Sequence, residues 1–342
     1  MTLEEFLDTW HSPNETLLVH TSGSTGTPKP MLVEKRRMLN SAKITCDFLG
    51  LKPGDAALLC MSLDYIAGKM MVVRSIERSL KLISVKPSGH PISAESLKNA
   101  NDAAWKQGIT FAAMVPMQVY NTLQVPEERE RLTHIKHLII GGGAIDSALE
   151  AELRSLSGDI AIWSTYGMTE TLSHIALRRI NGKEASEWYQ PFDSVKVSQT
   201  EEGCLVIDAP LVCKQPLVTN DIVEIQPYIY NKVCAEGVRF RIKGRKDNVI
   251  CSGGIKIQIE EVENLLKPHL QKPFMLAKKK DEKFGEIAVL LTEDGDLKKV
   301  EATVRRLLSD NSKKYWIPRE YIHVESLPLT ETGKPKRACL LR

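Results

Sequence analysis

The 342-residue sequence has little of what marks exported, metal-binding, membrane-spanning or nucleic-acid-binding proteins. Its seven cysteines form no CxxC pair and its eight histidines no HxxxH pair, which favours reduced thiols and argues against structural zinc. No apolar run approaches the roughly 18 to 20 residues that span a bilayer, and the acidic amino terminus lacks an export signal. A net charge of +3 is too small to indicate nucleic acid or an anionic membrane. We therefore expect a cytoplasmic protein with no membrane span and no nucleic-acid partner.

Apolar runs alternate with segments of helical periodicity between residues 16 and 175. The runs that read as strands are TLLVH, AALLCMSL, LKLIS, TFAAM, HIKHLII and DIAIW. This alternation predicts a doubly wound parallel α/β sheet. Short strands with turns then predict a small β subdomain over 194–246, and strand and helix alternate again after it. We expect an α/β fold with a large domain at 1–246 and a small α+β domain at 247–342.

The stretch HTSGSTGTPKP at residues 20–30 combines hydroxyl groups, glycines and one cation directly after a predicted strand. Glycine lets backbone N–H groups turn toward a ligand, hydroxyl groups add donors, and lysine adds a mobile charge. The spacing is not that of a Walker loop, so a standard P-loop NTPase is not implied. The pattern predicts a polyphosphate-binding loop formed by Thr21, Ser22, Gly23, Ser24, Thr25, Gly26, Thr27 and Lys29.

Five motifs resemble, in order, those of the adenylate-forming superfamily of acyl-CoA synthetases and other AMP-binding enzymes. They are the loop at 21–29, YGMTE at 166–170, TND at 219–221, GRKD at 244–247 followed by SGGIKI, and LTETGK at 329–334. Together they span nearly the whole chain. The resemblance implies an AMP-forming acid–thiol ligase that uses a carboxylic acid, ATP and CoA, with Mg²⁺ as cofactor.

The resemblance also implies roles for single residues in the first step, where a carboxylate attacks the α-phosphate of ATP and two anions must meet. It makes Glu170 the Mg²⁺ ligand, Thr169 a donor to the α-phosphate, and Lys334 an ammonium that bridges carboxylate and phosphate. Further ATP contacts are implied at Gly142, Gly143, Ala144, Tyr166, Gly167, Asp221 and Arg245. Without the resemblance, the triple glycine is equally a plain turn and Asp221 a turn former.

A second step is implied in which a thiol displaces AMP. In relatives the small domain rotates about a hinge, removes the lysine and opens a tunnel for pantetheine. The resemblance then makes Asp247 the hinge and 247–342 a mobile lid. It places Ser252, Gly253 and Gly254 along the CoA tunnel.

The chain departs from the family in its length and at single positions. About twenty residues precede the phosphate loop where most relatives have far more, so we expect the flanking sheet to be absent or replaced, by a partner or in a homodimer. Asn220 stands where the T-G-D motif has glycine. In its shortness the chain resembles the o-succinylbenzoate–CoA ligases of menaquinone biosynthesis, which implies conversion of o-succinylbenzoate to o-succinylbenzoyl-CoA.

The acyl pocket is expected in MSLDYIAGKMMVVRS, at Tyr65, Gly68 and Lys69, with Tyr65 replacing a histidine of longer ligases. A second carboxylate on the substrate would be costly to bury unpaired. Lys69 and Arg74 are candidate partners for it, or else both lie on a solvated helix face. Aromatic residues make up 6% of the chain, so no aromatic-lined slot is predicted.

Four alternatives stay open on the sequence. The chain resembles other acyl- or aryl-CoA ligases and stand-alone adenylation enzymes that load a carrier protein. The strand-LIIGGGAID-helix segment is also compatible with a dinucleotide oxidoreductase, although the third glycine of GxGxxG is missing. The fourth alternative is a nucleotide-binding scaffold without catalytic activity. The presence of Glu170 and Lys334 argues against it.

Overall fold

The computed structural model describes residues 1–20, 29–98, 100, 106, 108–156, 159–230, 235–309, 313–329 and 337. The chain divides into two compact units. The first contains Met1–Ser198, Ile207–Leu217 and Gln226–Phe240, and the second contains Gln199–Val206, Val218–Ile225 and Arg241–Arg342. The expected division between residues 246 and 247, with a hinge and a mobile lid, stays a prediction.

The regular elements of the described residues are as follows. The α-helices are α1 (Leu3–His11), α2 (Lys35–Leu49), α3 (Ile66–Arg78), α4 (Ala94–Lys98), α5 (Pro116–Leu123), α6 (Pro126–Thr133), α7 (Ser147–Ser155), α8 (Ile259–Leu266) and α9 (Leu297–Leu307). The strands are β1 (Thr16–His20), β2 (Pro30–Glu34), β3 (Ala56–Leu59), β4 (Lys81–Ser84), β5 (Phe111–Met114), β6 (His137–Ile140), β7 (Ala161–Gly167), β8 (His174–Arg179), β9 (Gln190–Pro191), β10 (Lys196–Gln199), β11 (Cys204–Asp208), β12 (Leu217–Tyr230), β13 (Ala235–Arg245), β14 (Val249–Ser252), β15 (Ile255–Gln258), β16 (Phe274–Asp281), β17 (Gly285–Thr292) and β18 (Glu320–His323).

Local sequence explains where several helices begin and end. α1 starts with a capping box in which the Thr2 hydroxyl accepts from the Glu5 N–H and the Glu5 carboxylate accepts from the Thr2 N–H. α2 ends at Gly50, whose φ of 65° is left-handed. α5 and α6 each begin with a proline, which fits the first helical turn because its missing N–H is not needed there.

A seven-stranded sheet in the order β4-β3-β5-β6-β7-β8-β9 forms the centre of the first unit. Strands β3 to β7 are parallel, and β8 runs antiparallel to β7. The chain moves outward from β3 to β4 and then returns past β3 to β5, so right-handed crossovers place α3 on one face and α4 to α7 on the other. The predicted doubly wound sheet is confirmed. The core on the α4–α7 face includes Leu58, Ile83, Met114, Leu132, Leu138, Leu149 and Ile162.

The first predicted strand does not belong to this sheet. β1 pairs with β2 in a separate antiparallel pair, from Thr16 opposite Glu34 to His20 opposite Pro30. Leu17 and Val19 are buried, whereas Leu18 is 51% exposed. The prediction of a buried strand in the large sheet was therefore wrong, because TLLVH was treated as one apolar run although its burial alternates along the strand.

The second unit contains a sheet in the order β15-β14-β17-β16, with β18 parallel to β17. Its core contains Ile250, Val262, Leu276, Leu290, Val300 and Val304, contributed by these strands and by α8 and α9. The predicted small α+β domain is confirmed as a fold. A further four-stranded sheet, β10-β11-β12-β13, supplies residues to both units. Among the described residues, no helix combines the length and apolar character that crossing a membrane requires.

Candidate nucleotide and acyl site

The predicted base-binding turn lies where β6 ends. Ile140 of β6 pairs with Ser164 of β7, so the segments that follow both strands leave the sheet at the same edge. A Cβ on Gly141 would overlap the Thr165 hydroxyl, which explains why glycine is required for this close approach. Gly142, Gly143 and Ala144 are exposed at this edge, next to the end of β7 that carries Tyr166 and Gly167.

Residues 168–173 form a tight turn, which we call the 168–173 turn. The Thr171 hydroxyl accepts from the Met168 N–H at 2.9 Å and donates to the Ser173 carbonyl at 2.7 Å. Leu172 has a φ of 64°, which bulky residues rarely adopt. A Cβ on Gly167 would overlap the Ser173 carbonyl and the His174 Cα. These constraints fix the turn that carries the predicted Thr169 and Glu170.

Thr169 is buried and Glu170 is exposed at this turn. No group of three or more His, Cys, Asp or Glu side chains that could hold a metal occurs in the described part of the chain. Zinc and calcium sites require several protein ligands, whereas Mg²⁺ in phosphate-handling enzymes is usually bound by one or two carboxylates with phosphates and water. A single exposed carboxylate at Glu170 therefore fits Mg²⁺ shared with a nucleotide.

Tyr166 is buried and belongs to an aromatic group with Tyr189 and Phe240. The Tyr166 ring meets Phe240 edge-on at 5.1 Å and lies 5.9 Å from Tyr189. Tyr189 stacks on Phe240 and shares a 2.7 Å hydrogen bond with the Ser164 hydroxyl. Tyr189 and Phe240 were not among the predicted site residues, because they lie far from Tyr166 along the chain in segments without a spacing signal.

A shielded ion pair links α7, which follows the predicted base-binding turn, to β8. Arg178 of β8 donates from Nη1 and Nη2 to the two Glu150 carboxylate oxygens at 2.9 and 2.5 Å. Burial opposes ionisation, but the hydrogen bonds from Arg178 and Arg154 hold the pKa of Glu150 below its usual range. The Arg178 guanidinium also lies over the Tyr189 ring at 5.5 Å.

The predicted acyl segment follows β3 and opens α3. A Cβ on Gly68 would overlap the Ser62 carbonyl, so the first turn of α3 approaches that backbone closely. Tyr65 is exposed at the amino-terminal end of the helix. Lys69 is only 3% exposed and donates to the Leu63 carbonyl. Burial lowers the pKa of Lys69, with Asp64 opposing the shift.

Arg74 is 2% exposed and reaches the 168–173 turn, where its Nη2 donates to the Ser173 hydroxyl at 2.5 Å. Its Nη1 lies 3.8 Å from the Met71 sulfur, and its Nε has no acceptor among the described residues. Burial lowers the pKa of Arg74 to about 10, so it stays charged at neutral pH. The alternative prediction, that Lys69 and Arg74 lie on a solvated helix face, is therefore wrong.

His174 follows the 168–173 turn and is also buried. Its Nε2 lies 3.1 Å from the Thr45 hydroxyl, and its Nδ1 lies 3.2 Å from the Ser173 hydroxyl. Burial, and then the nearby charge of Arg74, lowers the pKa of His174 well below its usual range. His174 is therefore a neutral partner of the hydroxyls behind the turn.

In the second unit the predicted ribose and hinge residues lie together. Arg245 donates from Nη1 to Asp221 at 3.3 Å and from Nη2 to Asp247 at 2.9 Å. The Asp221 N–H donates to the Thr219 hydroxyl at 3.1 Å, which fixes the backbone of this motif. The side-chain amide of Asn220 lies 3.2 and 3.4 Å from the two Asp247 oxygens.

The predicted CoA-tunnel residues form the hairpin turn between β14 and β15. Gly253 and Gly254 have φ values of 56° and 83°, a left-handed pair for which glycine is favoured. The Gly253 N–H donates to the Phe284 carbonyl at 2.9 Å, and Ser252 pairs with Gly285. Lys29 is exposed immediately before β2. The predicted residues 21–27 and Lys334 lie outside the described part of the chain.

Comparison with known proteins identifies relatives over most of this chain. Residues 7–208 match the sequence profile of the family described as AMP-binding enzyme. The chain is 32% identical to the acyl-CoA synthetase (AMP-forming)/AMP-acid ligase II-like protein from Dyadobacter fermentans, with 97% of this chain and 91% of that one covered and a TM-score of 0.62. It is 23% identical to 2-succinylbenzoate–CoA ligase from Bacillus mycoides, covering 97% of this chain and 71% of that protein. It is 25% identical to a plipastatin synthase protein from Bacillus subtilis over 94% of this chain, but spans only 13% of that protein.

The o-succinylbenzoate coenzyme A synthetase of Bacillus subtilis, solved in complex with ATP and magnesium ion, shares the fold. Its TM-score is 0.71 at 21% identity, covering 94% of this chain and 69% of that chain. The resemblance inferred from the five motifs is confirmed by the family match. The chain belongs to the AMP-binding enzyme family, whose profile covers more than half of it.

Proposed function

We propose that this chain is an ATP-dependent acid–thiol ligase that adenylates an aromatic carboxylic acid and transfers the acyl group to CoA. The proposed acid is o-succinylbenzoate and the product o-succinylbenzoyl-CoA. Family membership supports AMP-forming chemistry, and relatives named 2-succinylbenzoate–CoA ligase support the acid. The observation that carries the choice of acid is Arg74, a buried cation beside the 168–173 turn.

The surroundings of Arg74 favour a substrate with two carboxylates. Burying a guanidinium costs several kcal/mol unless an anion or several acceptors replace its water. No carboxylate pairs with Arg74 among the described residues, and its contacts are the neutral Ser173 and Met71. The Lys69 ammonium, by contrast, already donates a hydrogen bond to the Leu63 carbonyl. A substrate with a second carboxylate would supply the acceptor that Arg74 lacks.

Adenylation requires the acid carboxylate to approach the negatively charged α-phosphate. In this proposal the buried Thr169 donates to the α-phosphate, and Glu170 holds Mg²⁺, which when bound neutralises phosphate charge. Lys334 bridges the reacting carboxylate and phosphate, and the loop at 21–29 binds the phosphates beyond. The negative charges of the carboxylate and of the phosphates, which repel each other, are then both partly neutralised.

The nucleoside contacts are proposed separately for each unit. In the first, Tyr166 and the turn at 142–144 contact adenine. In the second, Asp221 accepts from the ribose hydroxyls and Arg245 supports it, since a carboxylate offers two acceptor oxygens. Asp247 acts as the hinge for the thiol step, in which the turn at 252–254 lets pantetheine pass close to the backbone.

The test is incubation with Mg²⁺, ATP, o-succinylbenzoate and CoA, followed by mass spectrometry for AMP and the thioester. A panel of carboxylic acids scored by pyrophosphate release then identifies the preferred acid. Benzoate, which lacks the second carboxylate, is the matched comparison. Formation of neither AMP nor thioester with any acid would overturn the proposal.

The same experiment distinguishes the proposed ligase from one related enzyme. A stand-alone adenylation enzyme would release pyrophosphate and form acyl-AMP, but CoA would not consume that intermediate. Transfer to a carrier-protein thiol would then identify the acceptor. The family match leaves no support for the dinucleotide oxidoreductase alternative. Cytoplasmic location and homodimer formation stay predictions, the latter measurable by sedimentation.

A further inference from the structure

Asn220 replaces the glycine expected in the T-G-D motif, and its side chain contacts the predicted hinge residue. Its amide nitrogen donates toward both carboxylate oxygens of Asp247, at 3.4 Å to Oδ1 and 3.2 Å to Oδ2. Glycine at this position has no side chain and could not make the contact. The contact is therefore a specific feature of this chain at the point where it departs from the motif.

Asp247 is joined through Arg245 to the proposed ribose ligand. Arg245 Nη2 donates to Asp247 Oδ2 at 2.9 Å, while Nη1 donates to Asp221 Oδ1 at 3.3 Å. One guanidinium thus contacts both carboxylates, and the planar fork of arginine can contact two acceptors only when they are suitably placed. The Asp247 side chain is half exposed, so its position depends on the contacts that hold it.

This segment is held separately by residues at the end of β15 and the start of α8. Gln258 donates from its amide to the Arg245 carbonyl at 3.0 Å, and Asn248 donates to the Glu260 carboxylate. A Cβ on Gly244 would overlap the Gln258 amide, which shows how closely the two segments pack. Neither of these two hydrogen bonds involves the Asp247 carboxylate. Asn220 of β12 does contact that carboxylate.

We propose that Asn220 is a positioning residue that holds Asp247 so that Arg245 can contact Asp221 and Asp247 together, which couples nucleotide binding to the hinge. This inference rests on the proposed function, in which Asp221 and Arg245 contact the ribose of the nucleotide. Without the amide, the exposed Asp247 side chain turns into solvent and draws Arg245 away from the geometry that it needs at Asp221. Nucleotide affinity falls although no residue that contacts the nucleotide has changed.

The experiment measures AMP binding to the full chain by calorimetry, so it does not depend on the identity of the acid. Asn220→Gly should weaken AMP binding roughly threefold to tenfold, the range for losing one hydrogen bond of ordinary net strength, because the contact is exposed to solvent. Val218→Gly is the matched control, because Val218 is exposed on the same face of β12 and suffers the same loss of a side chain in a strand. It should change the affinity less than twofold.

A double-mutant cycle identifies the partner. In an Asp247→Ala background, Asn220→Gly should cost less than twofold, because its acceptor is already gone. Asn220→Asp, which has the same shape but repels Asp247, should weaken AMP binding at least as much as Asn220→Gly. In the ligase assay, Asn220→Gly should raise KM for ATP while kcat changes less than twofold, and it should raise KM for supplied acyl-AMP by a similar factor, because that intermediate carries the same ribose.

Equal effects of Asn220→Gly and Val218→Gly, or full additivity with Asp247→Ala, would overturn the inference. Both would indicate only a structural role in the strand, and matching melting temperatures of the variants exclude loss of folding as the cause. AMP binding without any ligase activity would contradict the proposed function yet leave this coupling measurable. Absence of AMP binding by the wild-type chain would overturn both.

Discussion

Arg74 and Ser173 are joined by a hydrogen bond of 2.5 Å although they lie 99 positions apart. The bond connects α3, which carries the predicted acyl segment, to the 168–173 turn, which carries Thr169 and Glu170. Ser173 also lies 3.2 Å from His174 Nδ1, and its carbonyl accepts from Thr171. A change at Arg74 should therefore affect acid recognition first and the turn second.

Arg74→Met should raise KM for o-succinylbenzoate about tenfold to a hundredfold, since a lost charge-assisted hydrogen bond is worth roughly 1.5–3 kcal/mol. For benzoate, which has no second carboxylate, KM should change less than threefold. The measurement is steady-state kinetics of pyrophosphate release with both acids. Arg78→Met is the control on the same helix, because Arg78 pairs with Asp47 and Glu77 instead. An equal loss with both acids would refute the role of Arg74.

Lys334→Ala should separate the two half-reactions. Formation of acyl-AMP should fall by at least a hundredfold, because the ammonium offsets repulsion between carboxylate and phosphate. Thioester formation from supplied acyl-AMP should continue at close to the wild-type rate. Single-turnover assays of each step measure this, and comparable losses in both steps would contradict the assignment.

Glu170→Gln should raise the Mg²⁺ concentration needed for half-maximal adenylation by about tenfold or more, because an amide is a weaker ligand than a carboxylate for a hard cation. AMP binding without Mg²⁺ should stay within twofold of wild type. A Mg²⁺ titration of pyrophosphate release measures the change. Glu184→Gln, an exposed carboxylate elsewhere in the first unit, should leave the titration unchanged. An unshifted titration in Glu170→Gln would remove this residue as the ligand.

Gly167→Ala should destabilise the protein by about 2 kcal/mol or more, because its Cβ would overlap backbone atoms of Ser173 and His174 that cannot move aside cheaply. Gly143→Ala should cost less than about 1 kcal/mol, since its Cβ meets only Pro116 at 3.8 Å. Urea unfolding of both variants measures the difference. Similar free energies of unfolding would show that the 168–173 turn can relax.

The buried His174 should make the protein less stable in mild acid. Its pKa is lowered in the folded state, so the unfolded state binds more protons between that value and the ordinary 6.5. Its contribution is fully present above about pH 6.5 and is lost as the pH falls toward the folded-state pKa. His174→Gln should lose less free energy of unfolding between pH 7.5 and 5.5 than wild type does, by about 1 kcal/mol. Equal losses in both proteins would contradict the prediction.

The sequence predicted the large sheet well because its buried parallel strands read as apolar runs between helical segments. It also placed Gly142 directly after β6, Tyr166 at the end of β7 and Glu170 just beyond that strand, since both motifs occur where an apolar strand pattern ends. It failed at β1, where alternation in five residues was overlooked. Tyr189 and Phe240 could not be predicted beside Tyr166, because such packing depends on distant segments meeting in three dimensions.

The burial of Lys69 and Arg74 could not be predicted from the sequence either. Both residues lie in the helical segment from Ile66 to Arg78, and a cation in such a segment is ordinarily solvated. Only the packing of α3 against α2 and the sheet decides that both side chains are covered. The contact between Asn220 and Asp247, on which the proposed role of Asn220 rests, was likewise not predictable from the motif.

The ion pair between Glu150 and Arg178 bears on how salt will act on this protein. Both side chains are largely shielded from solvent and meet through two parallel hydrogen bonds, so ionic strength should barely weaken them. The scaffold behind the predicted base-binding turn should then keep its shape in concentrated salt. A fall in nucleotide affinity with added salt would then come from charges outside this scaffold, such as the ligand's phosphates and the partly exposed Arg245 with its two aspartates.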